Sequence, residues 1–166
     1  MPARLLIYAG SLALLWWTGV ADGRPTDRLL GSPLLWATVD QCSSASGGDV
    51  VGLRGSMPGT GRADEEMYMR FRLQYRDATG RWQFVAGADS GFVDVGSSRY
   101  VSRQAGRDFH LAAGFAGGAV LRGRVTFDWR VGKVTKHHAE LRTTADREVG
   151  AGASPPGYSA AHCTLS

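Results

Sequence analysis

The residues whose type and spacing point most clearly to chemistry are arginines. Arg70, Arg72 and Arg76 share one phase of the stretch from Met67 to Arg76, and Arg122, Arg124 and Arg130 share one phase of the stretch from Val120 to Val131. Side chains two residues apart on a strand project from the same face. Should the two stretches lie side by side in one sheet, these six guanidinium groups would stand within reach of one another. Planar, permanently charged forks of this kind grip carboxylate, phosphate and sulfate groups through paired hydrogen bonds. The expected ligand is therefore an anionic polymer or an acidic partner protein. The competing expectation is a solvated outer face, its field diluted by Asp128 and Glu140.

Other chemistries are less well provided for. Asp89-Ser90-Gly91 and Ser159-Ala-Ala-His162-Cys163 resemble the nucleophile and histidine segments of chymotrypsin-like proteases. The order is reversed, however, and Phe92 stands where that family has glycine. Asp40, Asp94, Asp128 and Glu140, with Asp64-Glu65-Glu66, could furnish a carboxylate pair for a small hydrolase. That remains the alternative reading, with Ser90 as its other candidate nucleophile. His137 and His138 are adjacent on an expected strand, so they point to opposite faces and cannot chelate one ion together. Asp89 and Asp94 bracket no calcium loop. Neither a metal nor a cofactor is expected. Trp36, Phe71, Tyr75, Phe127 and Trp129 fall on apolar phases and belong to the core, whereas Tyr68, Trp82 and Tyr100 are freer. No aromatic platform interleaved with the arginines and no base-reading motif is expected, so specific nucleic-acid binding is not predicted.

These groups need strands to hold them. Met67, Met69, Phe71, Leu73 and Tyr75 alternate with polar residues at period two, as do Leu121, Val125, Phe127, Trp129 and Val131. Each stretch therefore reads as a half-buried strand. Leu34–Cys42, Val50–Met57, a return strand from Trp82 and Val134–Thr143 extend the pattern, the last after a Gly132-Lys133 turn. Ala88–Ser98 reads as a long loop containing a short strand. Arg99–Ser102 and Asp108–Ala112 read as weak strands split by Gln-Ala-Gly. Seven or eight short strands without an amphipathic helix predict an all-β, antiparallel β-sandwich, with a small barrel as the other possibility.

Residues 1–21 read as a secretory signal peptide: Arg4 precedes an uncharged apolar stretch, and Gly19 and Ala21 suit a cleavage site after Ala21. An uncleaved anchor is the alternative and the only membrane contact expected. Residues 22–33 form a flexible lead-in, and 34–166 the sandwich domain with its C-terminal tail. The chain carries net charge +4, all but two of its basic residues (Lys133 and Lys136) being arginines. Such an excess permits an anionic partner without demanding one. After export into an oxidising compartment, Cys42 and Cys163 should form one disulfide and pin the tail.

The strand arrangement, the core Trp129 and the cysteine pair resemble an immunoglobulin-like or fibronectin-type sandwich, in which the third and sixth strands are neighbours. More narrowly, the ending Pro155-Pro-Gly-Tyr-Ser-Ala-Ala-His-Cys163 and the hairpin before it resemble a group of exported actinobacterial proteins. The resemblance implies an extracellular or envelope-associated module and brings no activity with it. The expectation is a secreted, non-catalytic binding or structural module of the cell envelope.

Overall fold

The computed structural model describes residues 25–44, 48–112, 115 and 118–165. The expected signal segment, 1–21, lies outside them. A short helix, α1 (Pro25–Leu30), replaces the loose lead-in expected there, and Leu29 is buried against the core. Eight strands follow: β1 (Trp36–Ser43), β2 (Asp49–Pro58), β3 (Glu66–Arg76), β4 (Trp82–Ser97), β5 (Ser102–Leu111), β6 (Val120–Val131), β7 (Val134–Arg142) and β8 (Cys163–Thr164). They form two antiparallel sheets, ordered β1-β2-β5 and β4-β3-β6-β7, with β8 paired to β6. The result is an antiparallel β-sandwich rather than a closed barrel, and β3 and β6 are neighbours as expected.

Two segments are more regular than their composition implied. All but the last residue of the expected loop at Ala88–Ser98 belongs to β4, which pairs with β3 through successive register shifts. Gly87, Gly91 and Gly96 have positive φ there, and Ser90 Oγ accepts the Phe71 N–H at 2.9 Å. The glycines and short polar side chains thus encode bulges within a strand rather than a loop. Likewise, Gln104-Ala105-Gly106 is not a turn: it runs straight through β5, each residue paired with β2.

The core lies between the sheets. From β3 come Met67, Met69, Phe71 and Leu73, and from β6 Leu121, Val125, Phe127 and Trp129, all fully buried. Val51, Leu53 and Met57 of β2 meet them from the other sheet. Two glycines let the sheets close. A Cβ on Gly55 would stand 3.1 Å from the Phe127 ring, and one on Gly123 would stand 2.8 Å from a Leu53 methyl group. Each thus leaves room for a large side chain from the opposite sheet. Trp129 also ties the layers, its indole N–H donating to the Pro58 carbonyl at 2.8 Å.

The two outer faces differ. Beyond β7 the chain runs along the free edge of β1, where Val39 and Ala160 exchange backbone hydrogen bonds and Ser154 N donates to the Asp40 carbonyl. Residues 144–157 lie against the outward side of the three-stranded sheet. Gly152 is packed on Arg54, and the Gly150 N–H reaches Gln104. Beneath this cover Asp40 is buried and paired with Arg54 at 2.7 Å. The covering segment ends at Cys163, bonded to Cys42 across 121 residues of sequence. The disulfide accords with an oxidising compartment. Replacing both cysteines by serine should lower unfolding free energy by about 4 kcal/mol in the chain-entropy account. Denaturant melts of the two proteins test this; equal midpoints and slopes would refute it.

Candidate functional site

The outward side of the β4-β3-β6-β7 sheet carries the arginines, and cross-strand register decides which of them meet. Arg72 of β3 stands opposite Arg124 of β6, which stands opposite Arg142 of β7. Three cations thus occupy one rung, on strands spaced about 4.8 Å apart. Like charges directly opposite one another destabilise a sheet. Glu140 stands against that cost: its carboxylate accepts from both Arg72 and Arg124. Arg142 is exposed and has no hydrogen-bond or ion-pair partner among the described residues. The Nε–H groups of Arg72 and Arg124 are buried without an acceptor among the described residues. Burial first, then the charges of Arg142 and Arg72, pulls the Arg124 pKa below its ordinary value. Guanidinium remains protonated regardless. The rung is a concentration of positive charge with unused donors.

The other expected arginines have separate employments. Arg122 is nearly buried: its Nε donates to Gln74 Oε1 at 2.9 Å and its guanidinium lies 3.9 Å from the Trp82 ring centre. Burial, with Arg142 and Arg124 nearby, lowers its pKa. Trp82 also stacks on His162, so aromatic groups cover this end of the face. Arg70 forms a two-point pair with Asp89. Arg130 bonds Asp128, whose other oxygen is 2.7 Å from His138 Nδ1. Arg76 lies at the end of β3 and donates to the Gly80 carbonyl. The six expected arginines therefore share a sheet face without forming one cluster. Arg72 and Arg124 form its centre, and Arg142, which the two-strand argument did not include, completes it.

The expectation that no aromatics interleave with these arginines is corrected by the structure. Arg72 lies 4.5 Å from the Phe84 ring centre, Arg130 lies 4.2 Å from Phe92 and 4.6 Å from Tyr68, and Arg70 lies 5.9 Å from Phe92. Phe84 and Phe92 remain 48% and 41% exposed, too open for core residues. They belong to β4 and lie eight positions apart, so alternation alone puts them on one face; the register shifts bring Phe92 opposite Arg70 instead of further along β3. That shortened spacing could not be read from period-two alternation.

The hydrolytic candidates are placed differently. Ser90 Oγ accepts from Phe71 N and donates to the Gly91 carbonyl, so its hydrogen bonds are to backbone. Asp40 and Asp108 converge above Gly52, where a Cβ would lie 2.6 and 2.9 Å from their Oδ1 atoms. Burial raises the Asp40 pKa, but the group is 2% exposed. Asp94 is exposed, Asp64 pairs with exposed Arg62, and Glu65 is buried on Thr60 Oγ1 at 2.5 Å. No group of three or more metal-ligating side chains occurs among the described residues.

No protein-family model matches the chain, and no curated protein matches it significantly. Among solved structures, two β-glucuronidases of Bacteroides uniformis are similar to it with TM-scores of 0.40 and 0.38 and 10% and 12% identity. They cover 66% and 68% of this chain, which spans 12% and 13% of theirs. A putative β-galactosidase from Bacteroides fragilis gives a TM-score of 0.37 and 7% identity, over 70% of this chain and 17% of that one. At this likeness the enzymes' activities remain theirs.

Glu140→Gln should destabilise the fold by about 1–3 kcal/mol, since it removes the negative charge shared by two partly buried guanidinium groups and turns one of the two acceptor oxygens into a donor. Added sulfate should restore more of the melting temperature in this variant than in wild type; an equal response in both would remove Glu140 from its role. Acid should weaken the fold through Asp77 and Asp89. Thr79, Arg81 and Gln83 hold the Asp77 pKa at about 2, and Arg70 holds that of Asp89 at about 2. Both stabilising contributions are present above the unfolded pKa of about 4 and are lost as pH falls toward 2. Asp40, with its raised pKa, acts in the opposite sense. Denaturation midpoints at successive pH values should fall less steeply for Asp89→Asn; an unchanged slope would contradict the assignment.

Proposed function

We propose that this chain is a non-catalytic binding module of the cell envelope that engages an anionic polymer through the outward face of its β4-β3-β6-β7 sheet. The observation that carries the reading is the rung Arg72–Arg124–Arg142, three cations in register of which the first two share the Glu140 carboxylate. An anion seated there offsets a repulsion that the folded protein otherwise tolerates, and it meets the exposed guanidinium of Arg142. The segment ending at Cys163 lies against the opposite outer face. An acidic protein partner would be held by the same groups.

The strand order β1-β2-β5 and β4-β3-β6-β7 supports reading the fold as immunoglobulin-like, of the fibronectin type. Export by a leader at residues 1–21, as in the actinobacterial proteins that the C-terminal segment resembles, would deliver the module to the wall or the medium and accords with the disulfide. The alternative, a small hydrolase, has less support. Asp40 is sealed beneath the C-terminal segment, and Ser90 is committed to backbone hydrogen bonds.

Titration of residues 22–166 with anionic envelope polymers across a salt series tests the proposal. Affinity should fall steeply as salt rises, and Arg142→Glu should reduce it by roughly tenfold or more at low salt. Arg142 is exposed, so its replacement leaves the core intact. Binding that is absent at low salt, or indifferent to Arg142, would overturn the proposal.

A further inference from the structure

We infer that the anionic ligand is an acidic polysaccharide, bound as an extended oligomer with sugar rings on Phe84 and Phe92 and a carboxylate on the rung between them. The inference rests on the proposed function and adds the ligand's chemical class. Phe84 pairs in register with Gln74, and Phe92 with Arg70, so the two rings are four β3 residues apart. Along a strand this is about 14 Å. The Arg72–Arg124–Arg142 rung starts at the level between them, where Arg72 stands opposite Asp89 of β4, and runs from there across β6 to β7. The face therefore presents two exposed rings along β4 and a row of guanidinium groups leading away from the gap between them.

Each phenyl ring has a guanidinium over one face, yet the two residues remain 48% and 41% exposed. Such a ring offers a flat apolar surface that a bare phosphate or sulfate cannot use. A pyranose ring can use it, because its axial C–H groups form a flat apolar face while its carboxylate projects from the rim. One sugar acid is too short to reach both rings and the rung; an oligomer is not.

A single-stranded nucleic acid also alternates flat rings with charge, and it is disfavoured by the carboxylates on the same face. Asp89, Asp128 and Glu140 stand among the arginines and neutralise Arg70, Arg130 and much of Arg72 and Arg124. These acids lower the net charge of the face, which favours a ligand that also uses the exposed rings over one held by charge alone.

The test uses residues 22–166 and four probes: galacturonate oligomers of increasing length, fully methyl-esterified polygalacturonate, polyphosphate and oligo(dT). Affinity should rise with galacturonate length and be lost on esterification, and it should exceed that for polyphosphate and oligo(dT) at equal charge concentration. Phe84→Ala and, independently, Phe92→Ala should each weaken galacturonate binding by roughly tenfold without changing polyphosphate binding. Both side chains are exposed, so neither variant empties the core. Polyphosphate or oligo(dT) binding as tightly as galacturonate, with no effect of either phenylalanine, would overturn the sugar assignment and leave the anion-binding face standing. Failure of all four probes to bind at low salt would overturn the anion-binding reading itself.

Discussion

The register between β3 and β6 is the constraint on which both core and candidate site depend. Met67 pairs with Trp129, Met69 with Phe127 and Phe71 with Val125, all fully buried. Because side chains alternate between faces, the same pairing puts Arg72 opposite Arg124 on the outside. A slip by one residue would expose the apolar set and bury the guanidinium groups, so the core holds the arginine rung in place. The cationic repulsion is small beside the burial of these aromatic and aliphatic side chains. This difference in magnitude explains how the fold can carry three like charges on one rung.

The second organising feature is the asymmetry of the two outer surfaces. The three-stranded sheet has an outward Asp40–Arg54 pair and Trp36, each nearly buried, and the segment that follows β7 shelters them. That segment could not hold itself there by composition alone, being rich in glycine and proline. It is fastened by the edge hydrogen bonds to Val39 and Asp40 and by the Cys42–Cys163 bond. Among the described residues no comparable segment lies over the arginine face, although Trp82 and His162 close over Arg122 at one end.

Much of this was legible from residue order because the governing signal is periodic and strong. Strict alternation located β3 and β6, and the two cysteines could be paired because no others compete. Three features were hidden for a common reason: they depend on which residues face each other across strands. Arg142 sits near the end of β7 and gains meaning only opposite Arg124. Phe92 comes opposite Arg70 through register shifts in β4, where glycines have a positive φ that an alternation count does not show. Gly106 looked like a turn residue but lies in a strand, opposite Arg54. The short helix at Pro25–Leu30 escaped because its six residues are too few for a helical period to emerge.

The most direct measurement of the central claim is a titration that follows individual arginine Nε–H resonances by NMR as an anionic polysaccharide is added. Arg72, Arg124 and Arg142 should shift together and saturate at one affinity, while Arg54, sealed beneath the C-terminal segment, and Arg62, paired with Asp64 away from the rung, should not move. Uniform small shifts at every exposed arginine, or saturation at Arg62 without the rung, would show a diffuse positive surface and contradict the account.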